Sequence, residues 1–206
     1  MEKMTIHRAL TELKNLNDRI ETATNSGTYV RGNKQSNTKI DGSSLEDFEK
    51  SIVASYDKVI GLINRRNNIK SAVVDSNSKV EVEIAGKKMT VAEAIERKAS
   101  IHFENNLVNI MKSMLYKELS KINRENEELP KKLESYLAVT LGSKDQHKLS
   151  DVEQHTTSFM ERNTYGLIDP LNIKSKIEEL EEEINNFILE VDSVLSESNA
   201  VTFIEI

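Results

Sequence analysis

Apolar residues recur along this chain mostly at helical spacing, with one short stretch where they alternate. Over residues 5–24, Ile6, Leu10, Leu13, Leu16 and Ile20 fall on one side of a helix, with polar residues between them. A second helix opens at the capping-box sequence Ser43-Ser44-Leu45-Glu46. It carries Leu45, Phe48, Ile52, Tyr56, Val59 and Ile63 in a 3-4 repeat, a narrow coiled-coil-like seam, and is expected to end near Ser71. Val80, Val82 and Ile84 then alternate as in a strand, Ala85-Gly86-Lys87 reads as a hairpin turn, and Thr90-Val91-Ala92-Glu93 caps the next helix.

That third helix, expected over residues 91–127, has early apolar residues on one side. Farther on, Leu107, Val108, Ile110, Met111, Met114, Leu115 and Leu119 cover more than half its circumference, which predicts a central helix with neighbours on two sides. Pro130 suits the first turn of a fourth helix bearing Leu133, Leu137 and Leu141. The last long helix opens at Asp169-Pro170, and its stripe Ile173, Ile177, Leu180, Ile184, Phe187, Val191, Val194 is a 4-3 heptad. The tail 201–206 alternates again and is expected to join the hairpin as a third strand.

The predicted fold is therefore mainly α: an elongated helical bundle, coiled-coil-like, with a small antiparallel β-hairpin sheet, organised as a single helical domain over residues 1–206. Within it we expect a long polar loop at 25–42, in which Tyr29-Val30 and Lys39-Ile40 are able to pair. The hairpin lies at 79–91, an irregular connection at 142–166 includes a short helix begun by Ser150-Asp151-Val152-Glu153, and the heptad helix occupies 170–198.

Composition narrows the function. Aromatics make up 5% with no Trp, charged residues 30%, and seven Gly and two Pro are too few for a β-sandwich or a set of phosphate-cradling loops. No Cys is present, which excludes disulfides, thiolate metal sites and Cys nucleophiles. No stretch approaches the roughly 20 apolar residues of a membrane span, and the start lacks an apolar run of signal-peptide length, so a soluble cytoplasmic protein is expected. Residues 171–206 carry two Lys against nine Asp and Glu, so nucleic acid is not an expected partner of that end. His7, His102, His147 and His155 have no metal-ligand spacing, and no nucleophile elbow, Walker loop or paired-carboxylate motif is present; no catalytic residue, metal or cofactor is assigned.

The cluster Asn64-Arg65-Arg66-Asn67-Asn68 is the strongest candidate for chemistry. Read as a helix end, its guanidinium groups complement the macrodipole and its amides satisfy backbone groups. Read as a site, the same groups grip a carboxylate or phosphate in bidentate fashion. The candidate set for a ligand or partner contact is Arg31, Lys34, Lys39, Asn64, Arg65, Arg66, Asn67 and Lys88, provided that the long loop folds back over the hairpin corner.

Ile63-Asn64-Arg65-Arg66-Asn67 resembles the Ile-Asn-Arg-Thr-Asn motif of the DIP1984 family, helical bacterial proteins also labelled septicolysin-like, with Arg66 in place of Thr. Met89-Thr90 and Arg97 sit where that family has its Gly-x-x-Leu-Thr segment and basic pair. Asp192 and Asn199 keep its C-terminal pattern, and Ala200 replaces the usual Trp. Residues 5–14 and 88–98 are similar to uncharacterised proteins of phages and prophages in Gram-positive bacteria. The resemblance implies a helical fold and a phage setting in the bacterial cytoplasm or the virion. The expected function is a non-enzymatic interaction protein, a virion component or host-directed accessory factor, that self-associates through the heptad helix or binds a phage or host protein. The alternative is a binder of a small anionic ligand, such as a nucleotide signal in host-defence evasion.

Overall fold

The computed structural model describes residues 2–142 and 149–206. Among these the protein is mainly α, with β1 (Lys3–Thr5), α1 (Ile6–Ser26), β2 (Lys39–Ile40), β3 (Ser43–Ser44), α2 (Leu45–Lys79), β4 (Glu81–Ile84), β5 (Lys87–Thr90), α3 (Val91–Leu141), α4 (Leu149–Asn163), α5 (Ile173–Val201) and β6 (Phe203–Glu205). The strands form two-stranded antiparallel sheets, β1 with β6, β2 with β3 and β4 with β5. Expected as one domain, the chain divides into two compact units. Met1–Ala99 together with Asn186–Ile206 make the first, and Ser100–Asn185 the second, with α3 and α5 contributing to both.

In the first unit α1 lies on α2. Its buried face is Ile6, Ala9, Leu16 and Ala23 rather than a line through Leu10, because the two alanines permit close approach of the helices. Met4, Ile6, Ala9, Leu16, Ile69, Val73 and Ile204 form one core. Ile69 and Val73 explain why α2 does not stop near Ser71: the apolar face resumes after the polar run at 64–68, which is therefore the middle of a helix and not its end. Ser44, not Ser43, is the N-cap, its Oγ accepting from the Asp47 N–H at 3.1 Å.

Ile204 reaches that core because the tail strand pairs with Lys3–Thr5, in the register Lys3↔Glu205, Met4↔Ile204, Thr5↔Phe203, and not with the hairpin. Lys39–Ile40 likewise takes Ser43–Ser44 as its partner instead of Tyr29-Val30. The Tyr29 hydroxyl donates to carbonyls of Ala23 and Thr24 at the end of α1.

The β4–β5 hairpin has a two-residue turn in which Ala85 (φ 51°) and Gly86 (φ 72°) are both left-handed, the geometry whose twist matches the flanking strands. Its turn N–H at Ala85 donates to the Glu190 carboxylate of α5 at 2.6 Å, Lys98 pairs with Asp192, and the Arg97 guanidinium stacks 4.5 Å from the centre of the buried Phe187 ring. The capping box forms as the sequence predicts. The Glu93 N–H donates to Thr90 Oγ1 at 3.2 Å and the Thr90 N–H donates to Glu93 Oε2 at 2.7 Å.

In the second unit Val108, Ile177 and Ile184 are the buried centre, flanked by Ile101, Met111, Leu115, Ile173 and Leu180. α3 continues through Pro130 instead of restarting there. A proline inside a helix forfeits a backbone hydrogen bond. Here the turn is held by the buried Leu129 and by Lys132, whose ammonium reaches Glu125 at 3.1 Å and Glu128 at 3.4 Å across the proline.

The Tyr136 hydroxyl meets His155 Nδ1 at 3.1 Å, and Tyr136 and Phe159 pack with ring centres 5.0 Å apart, so much of the connection expected at 142–166 is the helix α4. Ser150 lies inside its first turn rather than at its cap. His147 and residues 143–148 lie outside the described residues. α5 begins at Ile173, later than Asp169-Pro170 suggests, because Asn172 turns left-handed (φ 50°) and the Asp169 carboxylate accepts from the Ile173 N–H at 2.8 and 2.9 Å.

Candidate interaction site

The candidate set drawn from the sequence does not converge. Arg65 lies on α2 facing α1, where its Nε donates to Glu12 at 2.9 Å and its Nη2 to Glu2 at 2.6 Å. Those carboxylates hold the guanidinium above its already high ordinary pKa, Glu12 contributing most. Arg66 Nε donates to Asn17 at 2.7 Å and its Nη1 to Asn67 at 3.4 Å; Asn64 is exposed on the same helix.

Arg31 pairs with Asp41 at 3.4 Å, the Lys34 N–H donates to Asn33, and the Lys39 carbonyl accepts from Asn33, so these three belong to a loop closed on itself. Lys39 is in register with Ser44, immediately before α2, and Arg65 stands twenty residues into that helix, about 30 Å along its axis at 1.5 Å per residue. Lys88 is on β5 opposite Glu83, in the hairpin that follows the other end of α2, and that end is about 21 Å along the axis from Arg65 by the same rise. The long loop does not fold back over the hairpin corner, and the hydrogen bonds of Arg65 and Arg66 join α2 to α1.

Other polar groups are engaged in the same way. Glu93 is held below the ordinary carboxylate value chiefly by the Thr90 backbone N–H, and Lys132 is raised by its hydrogen bond to Glu125 and then by Glu128. Among the described residues no group of three His, Asp or Glu comes together as a metal site, and no helix is long and apolar enough to cross a membrane.

The feature that stands apart is on α3. The heptad of α5 is turned inward: Ile177 and Ile184 pack on Val108 in the second unit, and Phe187 and Val191 are buried in the first. On α3 the wide apolar arc is divided. Val108, Met111 and Leu115 face α5, while Phe103 (68% exposed), Leu107 (51%), Ile110 (49%) and Met114 (61%) form a second stripe that is half or more exposed. Their 4-3-4 spacing places them on one face, about 110° around the helix from the α5 side. α5 covers the Val108 side of this arc and leaves the Phe103 to Met114 side largely exposed. A wide arc signals two contact faces, but the sequence does not tell whether the second partner belongs to the same chain.

Comparison with protein-family models, curated proteins and solved structures finds no match.

Proposed function

We propose that this chain is a non-enzymatic interaction protein that self-associates through the outward stripe of α3. The observation that carries the reading is the stripe itself, four large apolar side chains in heptad spacing left half or more exposed. Contiguous exposed apolar patches on soluble proteins are often functional, and the larger ones mark interaction surfaces. A facing helix is what such a seam accepts. The polar clusters support the same reading, since Arg65, Arg66, Glu93 and Lys132 use their hydrogen bonds to hold the fold. A phage or prophage setting, as virion component or host-directed accessory factor, rests on the resemblance of residues 5–14 and 88–98.

Sedimentation equilibrium of the parent chain and of Ile110→Glu tests this. A dimeric parent and a monomeric variant with unchanged helical circular dichroism are expected. A parent that stays monomeric at high concentration, or a variant that associates as well as the parent, overturns the reading.

A further inference from the structure

We infer that the partner on this stripe is a second copy of the chain, with its α3 antiparallel and the two-fold axis passing between Val108 and Asn109. This rests on the self-association proposed above and adds the occupant's identity, direction and register.

The stripe is self-complementary about that point. Phe103 and Met114 lie equally far from it, as do Leu107 and Ile110. A two-fold therefore sets Phe103 against Met114 of the partner subunit and Leu107 against Ile110 of the partner subunit, apolar on apolar at all four positions. Sulfur against an aromatic ring is a favourable outer layer.

Charge selects the direction. The same face continues C-terminally as Lys117 and Lys121, both exposed. A parallel pair superposes each lysine on its own copy inside the seam, whereas the antiparallel pair separates them to opposite ends. The flank away from α5 carries Asn106, Ser113 and Ser120, uncharged and exposed, so nothing on that side repels an identical helix. Helices packed this way approach to about 8–10 Å between axes.

The absence of cysteine makes the register measurable in the intact chain, because a single introduced thiol takes a single spin label. Asn106→Cys and Ser120→Cys are labelled separately and the distance between copies is read by dipolar coupling. The antiparallel register places the two labels about 7 Å apart along the axis for residue 106 and about 35 Å apart for residue 120, at 1.5 Å per residue. A much longer distance at 120 than at 106 is the expected result. Equal distances at both positions mean a parallel pair and overturn the inference while leaving self-association intact. Any other pattern in a dimer places the contact elsewhere and also overturns it. No coupling together with a monomer mass removes the self-association reading itself.

Discussion

Arg65 on α2 and Glu12 on α1 are joined by a 2.9 Å hydrogen bond across the helix pair, and the same guanidinium reaches Glu2 at 2.6 Å. Truncation to alanine removes both charge-assisted bonds. Allowing for partial exposure of all three side chains, Arg65→Ala is expected to cost about 1–2 kcal/mol. Arg65→Lys should recover only part of it, since an ammonium lacks the fork that serves two carboxylates at once. The Arg65 pKa is raised, so its contribution is complete at neutral pH and is lost only as pH rises through that raised value. Denaturant unfolding of parent and both variants at pH 7 and pH 9 checks the order of stabilities and the absence of a change between the two pH values arising from Arg65.

Acid should loosen the start of α3 before neutral conditions do. The Glu93 pKa is depressed below its ordinary value of 4.5 because its carboxylate accepts from the Thr90 N–H and hydroxyl. A depressed carboxylate stabilises fully above the unfolded value and loses that contribution as pH falls through the folded one. Amide exchange at Thr90, followed from pH 6 to pH 3 and corrected for intrinsic rates, should accelerate in the parent. In Glu93→Gln that local pH dependence should be absent.

At the hairpin, Ala85 occupies a left-handed position that an alanine adopts at a cost of roughly 1 kcal/mol. Ala85→Asn keeps the N–H that donates to Glu190 and suits the conformation, so it is expected to raise the melting temperature. Gly86→Val, at φ 72°, should lower it. A calorimetric scan in which Ala85→Asn melts below the parent contradicts this account of the turn.

The amide of Asn126 and the backbone of Tyr165 exchange two hydrogen bonds, 2.9 Å from the Tyr165 N–H and 3.0 Å to its carbonyl. This side chain fixes the segment leaving α4 against α3 as a strand partner would. Asn126→Ala is expected to cost about 1 kcal/mol and Asn126→Asp nearly as much, because a carboxylate keeps the acceptor and loses the donor. Loss of exchange protection at the Tyr165 amide in Asn126→Ala, with protection kept in Asn126→Asp, is the measurement.

Phe187 is fully buried under the Arg97 guanidinium. Phe187→Ala should destabilise by about 3–5 kcal/mol through the cavity and the lost ring contact, and Phe187→Leu by much less. Chemical denaturation of the two variants separates the cases.

The hairpin and its helix were legible because their signals are local: alternation over 80–84, a glycine at the turn and a capping box three residues wide. What misled was polar residues in helices. The run at 64–68 reads as a terminus, but Arg65 and Arg66 find a carboxylate and an amide on α1, a pairing between residues about fifty positions apart. Pro130 reads as a restart because the buried Leu129 and the Lys132 pairs that hold the turn are tertiary facts. The tail's strand character was visible, but its partner was not. Alternation names a face, and Met4 and Ile204 meet only because both sit over Ile69 and Val73. At the α3 stripe the breadth of apolar surface was readable; the division between an inner and an outer partner needed α5 in place.

Lys3 and Glu205 face each other although nearly the whole sequence separates them. The second unit is one uninterrupted run, Ser100–Asn185, while the first is stitched from two pieces that flank it. On a ribosome, residues 100–185 emerge with all their own partners, yet Met4, Ile6, Leu16, Ile69 and Val73 wait with an open side until Ile204 is made. The helix pair α1/α2 is thus made before residues 100–185 yet sealed after them, and its apolar side stays open to proteases and holdases while the intervening residues are translated.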